Sequence, residues 1–413
     1  MDLEHNYKEY LLWEAEIISI LKSNFRVKYT FESNNNEIRY FSNNILIDPV
    51  TNFKNFKIFY SFPFLLYKNN PYWVPPFWRE FNGFFKKNNP FWRHSECKLF
   101  IAKKKNKVVG RIGAIVDHKF CETIEKKIGY FGFFECTEDL NCAKALLQSA
   151  QNWLVSKNMK IMRGPIDGRV DVGLGFLFNG FDLPPSLLSS YNPAYYISFA
   201  ERSGMKKVRD FIAYYIDLTK PLPNILKEKS QECIESGIKI RRFNRLRTNK
   251  ELKWWIELFL ETFEDHWGYV PVPNIEVKSR FGVKQIRWFV DPKLFLIAEY
   301  DSSPVAYIWS TPDYNQIFKK LNGRLGPYQL IKILLMKKRI NKGKLQFIGI
   351  KKEFQNKNVG SLLNYETLVE MKRRGYIGAE VGVIDEKNAI AHTTIAKTGA
   401  KKYKIYRVFE KNI

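Results

Sequence analysis

Five cysteines and five histidines in 413 residues leave few of the side chains that bind metals or attack carbonyl carbons. Cys97, Cys121, Cys136, Cys142 and Cys233 form no C-x-x-C pair, and their number is odd. This pattern predicts reduced thiols, no disulfide framework and no metal site, and no local signature marks a catalytic cysteine. Long apolar runs are missing too, since none reaches the roughly 18 residues that a membrane-crossing helix needs. The first residues, MDLEHNYKEYLLWEAEI, carry acid early and lack a small-residue cleavage site, so no signal peptide is expected. A cytoplasmic protein is expected, with peripheral contact at the inner membrane surface as a further option. Acidic residues are scarce: 42 Asp and Glu stand against 67 Lys and Arg, for a net charge of +25. Such a field draws anionic partners, whether nucleic acid, anionic lipid or an acidic cofactor. Coding bias toward Lys, Asn, Ile and Phe is the competing explanation. No nucleic-acid module signature appears, so nucleic acid is not an expected partner.

What is present begins with enough apolar side chains, 45% of the chain, for sizeable cores in two or three domains. The stretch 344–375 organises the rest. Residues 345–350 form an apolar run that fits a buried strand, residues 351–358 a polar loop, and a helical pattern follows from Val359 to a C-capping Gly375. Val359, Leu362, Leu363, Tyr365 and Val369 share one side of that helix. Asn358 tolerates a left-handed backbone, and Gly360 has no Cβ to block close approach. Such a turn aims backbone N–H groups at one point at the positive end of a helix, which is an anion site suited to phosphate. Lys351, Lys352 and Lys357 add charge. A plain structural crossover would have the same pattern.

Residues 1–43 read as a separate extension with a helix over 8–22 and a hairpin turning at 33–36. Residues 45–94 are dense in Phe, Tyr and Trp interleaved with Lys and Pro. They suit a membrane interface, a greasy substrate tunnel or a loop-rich segment packed on a core. A regular unit then starts at Cys97: a hairpin around 105–107, a strand over 128–136, a helix capped by Asp139, a strand over 160–163, a short helix closed by Gly204, and a strand over 207–217. The same order recurs toward the C-terminus, where strand 379–384, a helix opening at Asn388, Gly399 and a basic last strand follow one another. Ser203-Gly204-Met205-Lys206-Lys207 matches Thr398-Gly399-Ala400-Lys401-Lys402, which points to duplication. Where the second unit has its phosphate loop, the first has the acidic Thr137-Glu138-Asp139-Leu140, which would repel pyrophosphate. A long Gly-rich insertion, 166–196, could line a pocket at the domain junction. Asp167, Arg169, Tyr191, Asn192 and Tyr195 are its candidate substrate-binding residues. Residues 328–344 (YQLIKILLMKKRINKGK) could lie on an anionic bilayer or cover the sheet.

These features together resemble the GCN5-related N-acyltransferases (GNAT), whose pyrophosphate loop reads Gln/Arg-x-x-Gly-x-Gly/Ala. Here it reads Gln355-Asn356-Lys357-Asn358-Val359-Gly360, followed by Ser361. More narrowly, from about residue 45 onward the chain resembles a bacterial tandem family related to ceramide synthases. The matching segments are Asn70-Pro71-Tyr72-Trp73-Val74-Pro75-Pro76, Phe131-Gly132-Phe133-Phe134-Glu135, Arg163-Gly164-Pro165, Tyr191-Asn192-Pro193 and Asp265-His266-Trp267-Gly268. The resemblance implies an α/β fold of the α+β type. Two tandem domains, 44–219 (degenerate) and 220–413 (acyl-CoA-binding), would each hold a mixed, mostly antiparallel sheet flanked by helices.

It also implies acyl transfer from acetyl-CoA or a long-chain acyl-CoA to a small-molecule or lipid amine such as a sphingoid base. Phe347, Ile348, Gly349 and Ile350 would pair with the pantetheine arm, and Asn388 would belong to the cofactor site. Many members place a general-acid Tyr on the last helix, where this chain has Ile395. Candidate acid–base groups are His266 beside Asp265, Glu380, Glu366, Tyr403 and Tyr406. A tandem protein that binds coenzyme A without catalysis is the alternative.

Overall fold

The computed structural model describes residues 28–30, 40–42, 44–271, 274–280 and 290–413. The helix expected over 8–22 and the turn at 33–36 lie outside them. In the first half the strands are β1 Tyr40–Ser42, β2 Ile45–Pro49, β3 Ser95–Lys104, β4 Lys107–Asp117, β5 Ile128–Cys136, β6 Ile161–Gly164, β7 Phe176–Asn179 and β8 Lys206–Asp217. In the second they are β9 Lys239–Arg242, β10 Phe295–Tyr300, β11 Ser303–Pro312, β12 Lys342–Ile350, β13 Gly378–Asp385 and β14 Lys401–Asn412. The predicted hairpin turns at Lys105 and Asn106, both left-handed (φ 47° and 61°), as a two-residue connection between twisted strands requires.

All fourteen strands join one sheet in the order β1-β2-β3-β4-β5-β6-β14-β8-β13-β12-β11-β10-β9, with β7 pairing to β14 off that path. Among the described strands two neighbouring pairs run parallel, β5 with β6 and β12 with β13. Each parallel pair is followed by the last strand of the other half. The C-terminal β14 lies between β6 and β8 of the first half, and β8 pairs in turn with β13 of the second. This exchange was not apparent in the sequence, which gives β8 and β14 the same basic pattern whichever sheet they join.

Alternation along the strands gives the sheet two buried faces. On one face helix Leu140–Ser156 covers the first half around Leu146, Ala150 and Leu154. Helices Asn224–Glu235 and Val359–Arg373 cover the second around Leu226, Leu362, Leu363 and Met371. Helix Val359–Arg373 is packed on two sides, so its buried stripe is centred on Gly360, Asn364, Thr367 and Met371, and Val369 is exposed instead of buried. The other face carries a core common to both halves, in which Phe56, Phe59 and Phe211 meet Trp255, Phe259 and Tyr307.

The aromatic stretch, which suited a membrane interface, a substrate tunnel or a loop-rich segment packed on a core, packs on the core and is helical over Phe53–Leu66 and Trp78–Phe84. Helix Phe53–Leu66 buries Phe56, Phe59, Tyr60 and Pro63 at helical spacing, although Pro63 and the many rings read as breakers. Taking one such ring fully out of water is worth about 2 kcal/mol. Phe56, Phe59 and Phe85 are 0% exposed, so these rings hold the segment in the core and are not available to a membrane. The small described parts of the N-terminal extension also join this half. Tyr29 bridges to Lys86, and β1 pairs with β2.

Because each half completes the other's sheet, the fragments 1–219 and 220–413 are expected to stay unfolded when made separately and to fold when co-expressed. Circular dichroism and limited proteolysis would show this. A well-folded 1–219 fragment would mean that the exchanged strands are dispensable.

Candidate active site

Strand β12 pairs with β13 only from Lys342↔Gly378 to Leu345↔Val381. On its other side the register with β11 shifts at Trp309/Ser310, leaving Gln346 without a partner on either strand. Past that bulge residues 347–350 have β11 on one side and no strand partner on the β13 side. Phe347 points into the shared core against Phe259, Phe263 and Trp309. Ile348 and Ile350 lie against the opposite core, and Gly349 lets Thr262 and Tyr307 close in.

The loop that follows has the conformation that its Asn residues favour. Asn356 (φ 61°) and Asn358 (φ 60°) are both left-handed, with a tight turn at Lys352–Phe354 before them. Helix Val359–Arg373 starts directly on Asn358 with no side-chain cap. Asn358 bonds outward: its amide donates to Glu232 (3.0 Å), and its carbonyl accepts from Lys397 (3.2 Å). Gln355 reaches back to the Ile350 carbonyl (3.4 Å), and Lys357 lies 5.1 Å over the Phe354 ring. Val359 and Ser361 are buried. The missing Cβ of Gly360 serves helix packing, since it would lie 2.9 Å from Thr394 Cγ2 on the last helix. Asn388 caps that helix, Ala389–Ala396, by accepting from the Ala391 N–H (3.0 Å).

The equivalent place in the first half is filled by the chain itself. The Asp139 carboxylate caps helix Leu140–Ser156 through Asn141 and Cys142 N–H groups, and Lys104 holds it (2.6 Å). Strands β5 and β6 also part after Tyr130↔Arg163, but the insertion enters the gap. Ile166 N–H donates to the Phe131 carbonyl (2.8 Å), and Asp167 accepts from Phe133 N–H (2.6 Å). One half is therefore plugged and the other has an open strand edge beside an uncapped helix.

The acid–base candidates fall in different surroundings. His266 does not pair with Asp265, which binds Lys352 (2.8 Å). Its ring stacks on Phe263 at 4.3 Å, and Phe263 in turn touches Phe347 of β12. The residue is exposed, and partial desolvation against the ring shifts its pKa down from the usual 6.5. Glu380 is buried and ionic. Lys344, its register partner on β12, is at 3.3 Å and Lys404 at 3.4 Å, and Ser186 and Ser189 of the insertion also donate to it. The two ammonium groups outweigh burial and hold its pKa low, so it is a weak base that ties the insertion to the second half.

Asp313 beside this network is pushed up to about 6, first by burial and then by Glu380. Glu366 is half-buried, and burial raises its pKa. Tyr403 lies under the Lys404 ammonium (4.3 Å), and Tyr406 is fully buried; burial pushes both phenols up, so they keep their protons. Ile395 is buried in the core of the second half. One turn before it, His392 Nε2 faces the Asp385 carbonyl (3.0 Å), so Nε2 carries the proton and Nδ1 accepts from Tyr214 OH (2.7 Å). His392 lies on helix Ala389–Ala396 beside the loop at 351–358 and Tyr214 on β8, and the pair was not singled out from the sequence.

No family model matches the chain. It is 30% identical to Protein YghO of Escherichia coli (strain K12) over 374 residues, which are 89% of this chain and 95% of that protein. The chain belongs to the YghO family. A bacterial ceramide synthase of Caulobacter vibrioides (strain NA1000 / CB15N) is 28% identical over 371 residues, 88% of this chain and 96% of that protein. Two solved structures share the fold. A tandem GNAT protein from the clavulanic acid biosynthesis pathway superposes with a TM-score of 0.53 at 11% identity, covering 89% of this chain and 98% of that one. A GCN5-related glucosamine N-acetyltransferase region of a fungal multi-domain β-N-acetylglucosaminidase gives 0.52 at 12% identity, covering 89% and 38%. The fold is thus a tandem GNAT fold.

Of the segments that carry the narrower resemblance, those at 70–76, 131–135, 163–165 and 191–193 lie in the first half of this family member. Alternation turns Arg111 of β4 and its register partner Glu135 of β5 inward, under the aromatic layer. Arg111 donates to the Phe59 carbonyl (2.8 Å) and lies 4.9 Å over the Phe59 ring. Glu135 accepts from Tyr67 OH (2.7 Å) and Tyr196 OH (2.8 Å). Asn70 reaches Tyr191 OH (3.2 Å), and Asn192 binds Leu177 N–H (2.6 Å).

A cavity of about 80 Å3, room for a few waters or one small polar head group, is lined by Arg111, Glu135, Asp167, Tyr191 and Asn192. Asp167, Tyr191 and Asn192 were expected to line a pocket at the domain junction, whereas the cavity they line lies within the first half, between Arg111 and Asn192 in the chain. Arg169 and Tyr195 are not among its lining residues. Arg169 binds Glu276 (2.6 Å) and Asp171 (3.3 Å), and Tyr195 donates to the Cys136 carbonyl (2.8 Å). Arg111, Tyr67 and Tyr196 were missed because an inward Arg–Glu pair reads like any exposed cross-strand pair. Glu135 was within a matching segment, but nothing in the sequence gave it a role.

Burial pushes Glu135 up to about 7, against the pull of Arg111 and the two phenols. Its folded pKa exceeds the unfolded value near 4.5, so the native state holds the extra proton between the two. Stability from this group is therefore full below about pH 4.5 and is lost as pH rises toward 7. The loss is on the order of 2–3 kcal/mol. Glu135→Gln should remove that slope. Denaturant unfolding at pH 5 and pH 7.5 should show wild type losing stability relative to the variant, and parallel profiles would refute the assignment.

Proposed function

We propose that the protein transfers an acyl group from coenzyme A to a primary amine, and that the second half holds the acyl-CoA. One contrast carries the reading. Helix Val359–Arg373 starts uncapped on left-handed Asn358 beside an unpaired strand edge, whereas its counterpart is capped by Asp139. Uncapped N-terminal amides, the helix dipole and Lys357 suit a pyrophosphate. An unpaired edge at 346–350 suits an extended pantetheine arm bound through backbone hydrogen bonds. The name of the Caulobacter relative supports a long-chain amine of the sphingoid type as acceptor.

When bound, an acyl-CoA supplies a thioester whose acyl carbon is attacked by the amine nitrogen as the carbon–sulfur bond breaks. The chain's task is to hold the two reactants together and to take the proton that the amine sheds. Of the candidates, His266 fits that role best. Its pKa is shifted down from the usual 6.5, and it lies one ring away from Phe347. Asp265, Glu380 and Asp139 are all engaged with lysines.

Titration calorimetry with acetyl-CoA and palmitoyl-CoA tests the cofactor half of this reading. At least one should bind, and Lys357→Glu should weaken it about tenfold by reversing a charge at the loop. Binding of neither would remove the proposal. Release of free thiol from palmitoyl-CoA with a sphingoid base, followed against pH, tests the chemistry. The rate should fall in acid through a pKa below 6.5, and His266→Gln should be roughly a hundredfold slower. Binding without thiol release from any amine would favour the non-catalytic reading, which the buried Ile395 also favours.

A further inference from the structure

Helix Pro327–Met336 carries its apolar side chains on the wrong side for a globular protein. Its inner face, with Ile333 buried and Met336 partly so, rests on a small cluster that includes Phe77, Tyr314, Ile317 and Leu321. The outer face is Tyr328 (71% exposed), Leu330 (48%), Ile331 (57%), Leu334 (71%) and Leu335 (73%). At about 100° per residue these five span roughly 160° of the helix, a contiguous apolar stripe open to solvent. Single exposed leucines are ordinary, but a stripe of five is not. The helix does not cover the sheet, which was one of the two expectations for this segment.

The stretch of chain around the helix is basic. Residues 314–352 contain eleven Lys and Arg and no Asp or Glu, and of these Lys344, Lys351 and Lys352 are paired with Glu380, Glu261 and Asp265 from other segments. Lys337, Lys338 and Arg339 continue directly from the helix as a short turn, and Lys338 and Arg339 are exposed. An apolar stripe framed by cations matches the boundary between acyl chains and anionic head groups, where the stripe enters the hydrocarbon edge and the cations stay with the phosphates. A second copy of this chain is a poor occupant, because it would set one basic surface against another.

We propose that helix Pro327–Met336 docks the protein on an anionic lipid surface, lying in the plane of the interface. The docking needs no span, and among the described residues no helix is long and apolar enough to cross a membrane. It is independent of acyl transfer.

Flotation with lipid vesicles tests it on the full chain. Vesicles of phosphatidylcholine plus phosphatidylglycerol should carry the protein up the gradient, and phosphatidylcholine alone should carry at least tenfold less. The double substitution Leu334→Glu, Leu335→Glu should abolish flotation while leaving the thermal midpoint unchanged, because both side chains already face solvent. Lys338→Glu with Arg339→Glu should reduce it severalfold and flatten its dependence on salt. No flotation with the anionic vesicles, or flotation that survives the leucine substitutions, overturns the proposal. So does light scattering that shows a dimer of wild type split by those same substitutions, since the stripe would then be a contact between copies.

Discussion

The exchange of last strands is the constraint on which the rest of the molecule depends. A duplicated unit could have folded as two beads on a string. Instead β14 closes the gap between β6 and β8, and β8 reaches β13, so that one sheet runs through both halves. The common core follows from this, because a continuous sheet offers a continuous face on which helix Phe53–Leu66 and Trp255 of the second half share neighbours. The insertion is held in the same way: Ser186 and Ser189 of the first half complete the ion pair of Lys344 and Glu380 in the second.

Within that shared frame the two halves have opposite electrostatics at the same structural point. A helix N-terminus attracts negative charge whatever supplies it. In the first half the chain supplies its own, with the Asp139 carboxylate on the amides and Asp167 on the bulged strand at Phe133. In the second half the helix starts on left-handed Asn358 with no side-chain cap on its first amides. Duplication therefore yields one site that is satisfied internally and one that is not. The satisfied half is free to build something else, and it has a small polar cavity around Glu135.

Much of this was legible from residue types alone, wherever a local rule governs the outcome. Strand β5, the Asp139-capped helix, the left-handed Asn358 and the closures at Gly204, Gly375 and Gly399 each follow from caps, turns and periodicity within a few residues. The GNAT fold itself was expected from the loop at 355–360, and the comparisons bear it out. What could not be read depends on partners far apart in the chain. Nothing near Lys344 shows that it meets Glu380 and a serine of another unit, and nothing near Arg111 or Glu135 shows that both turn inward. Helix Phe53–Leu66 was missed for a local reason, since Pro63 and six rings mask a helical spacing that only the core makes evident. The direction of the Pro327–Met336 stripe depends on which side of the helix meets Phe77, and the sequence is symmetric on that point.

Strand β14 also sets the order in which the molecule can be finished. Its residues, Lys401–Asn412, are the last strand in the chain, yet they pair with β6, whose residues precede them by more than two hundred positions. While the chain is being made, β6 and β8 have edges that stay unpaired until β14 is synthesised, and open edges invite pairing with other chains. Contacts of such long sequence separation also form slowly. The first half is thus synthesised well before the strand that completes it, so the nascent protein depends on β14 for protection against aggregation.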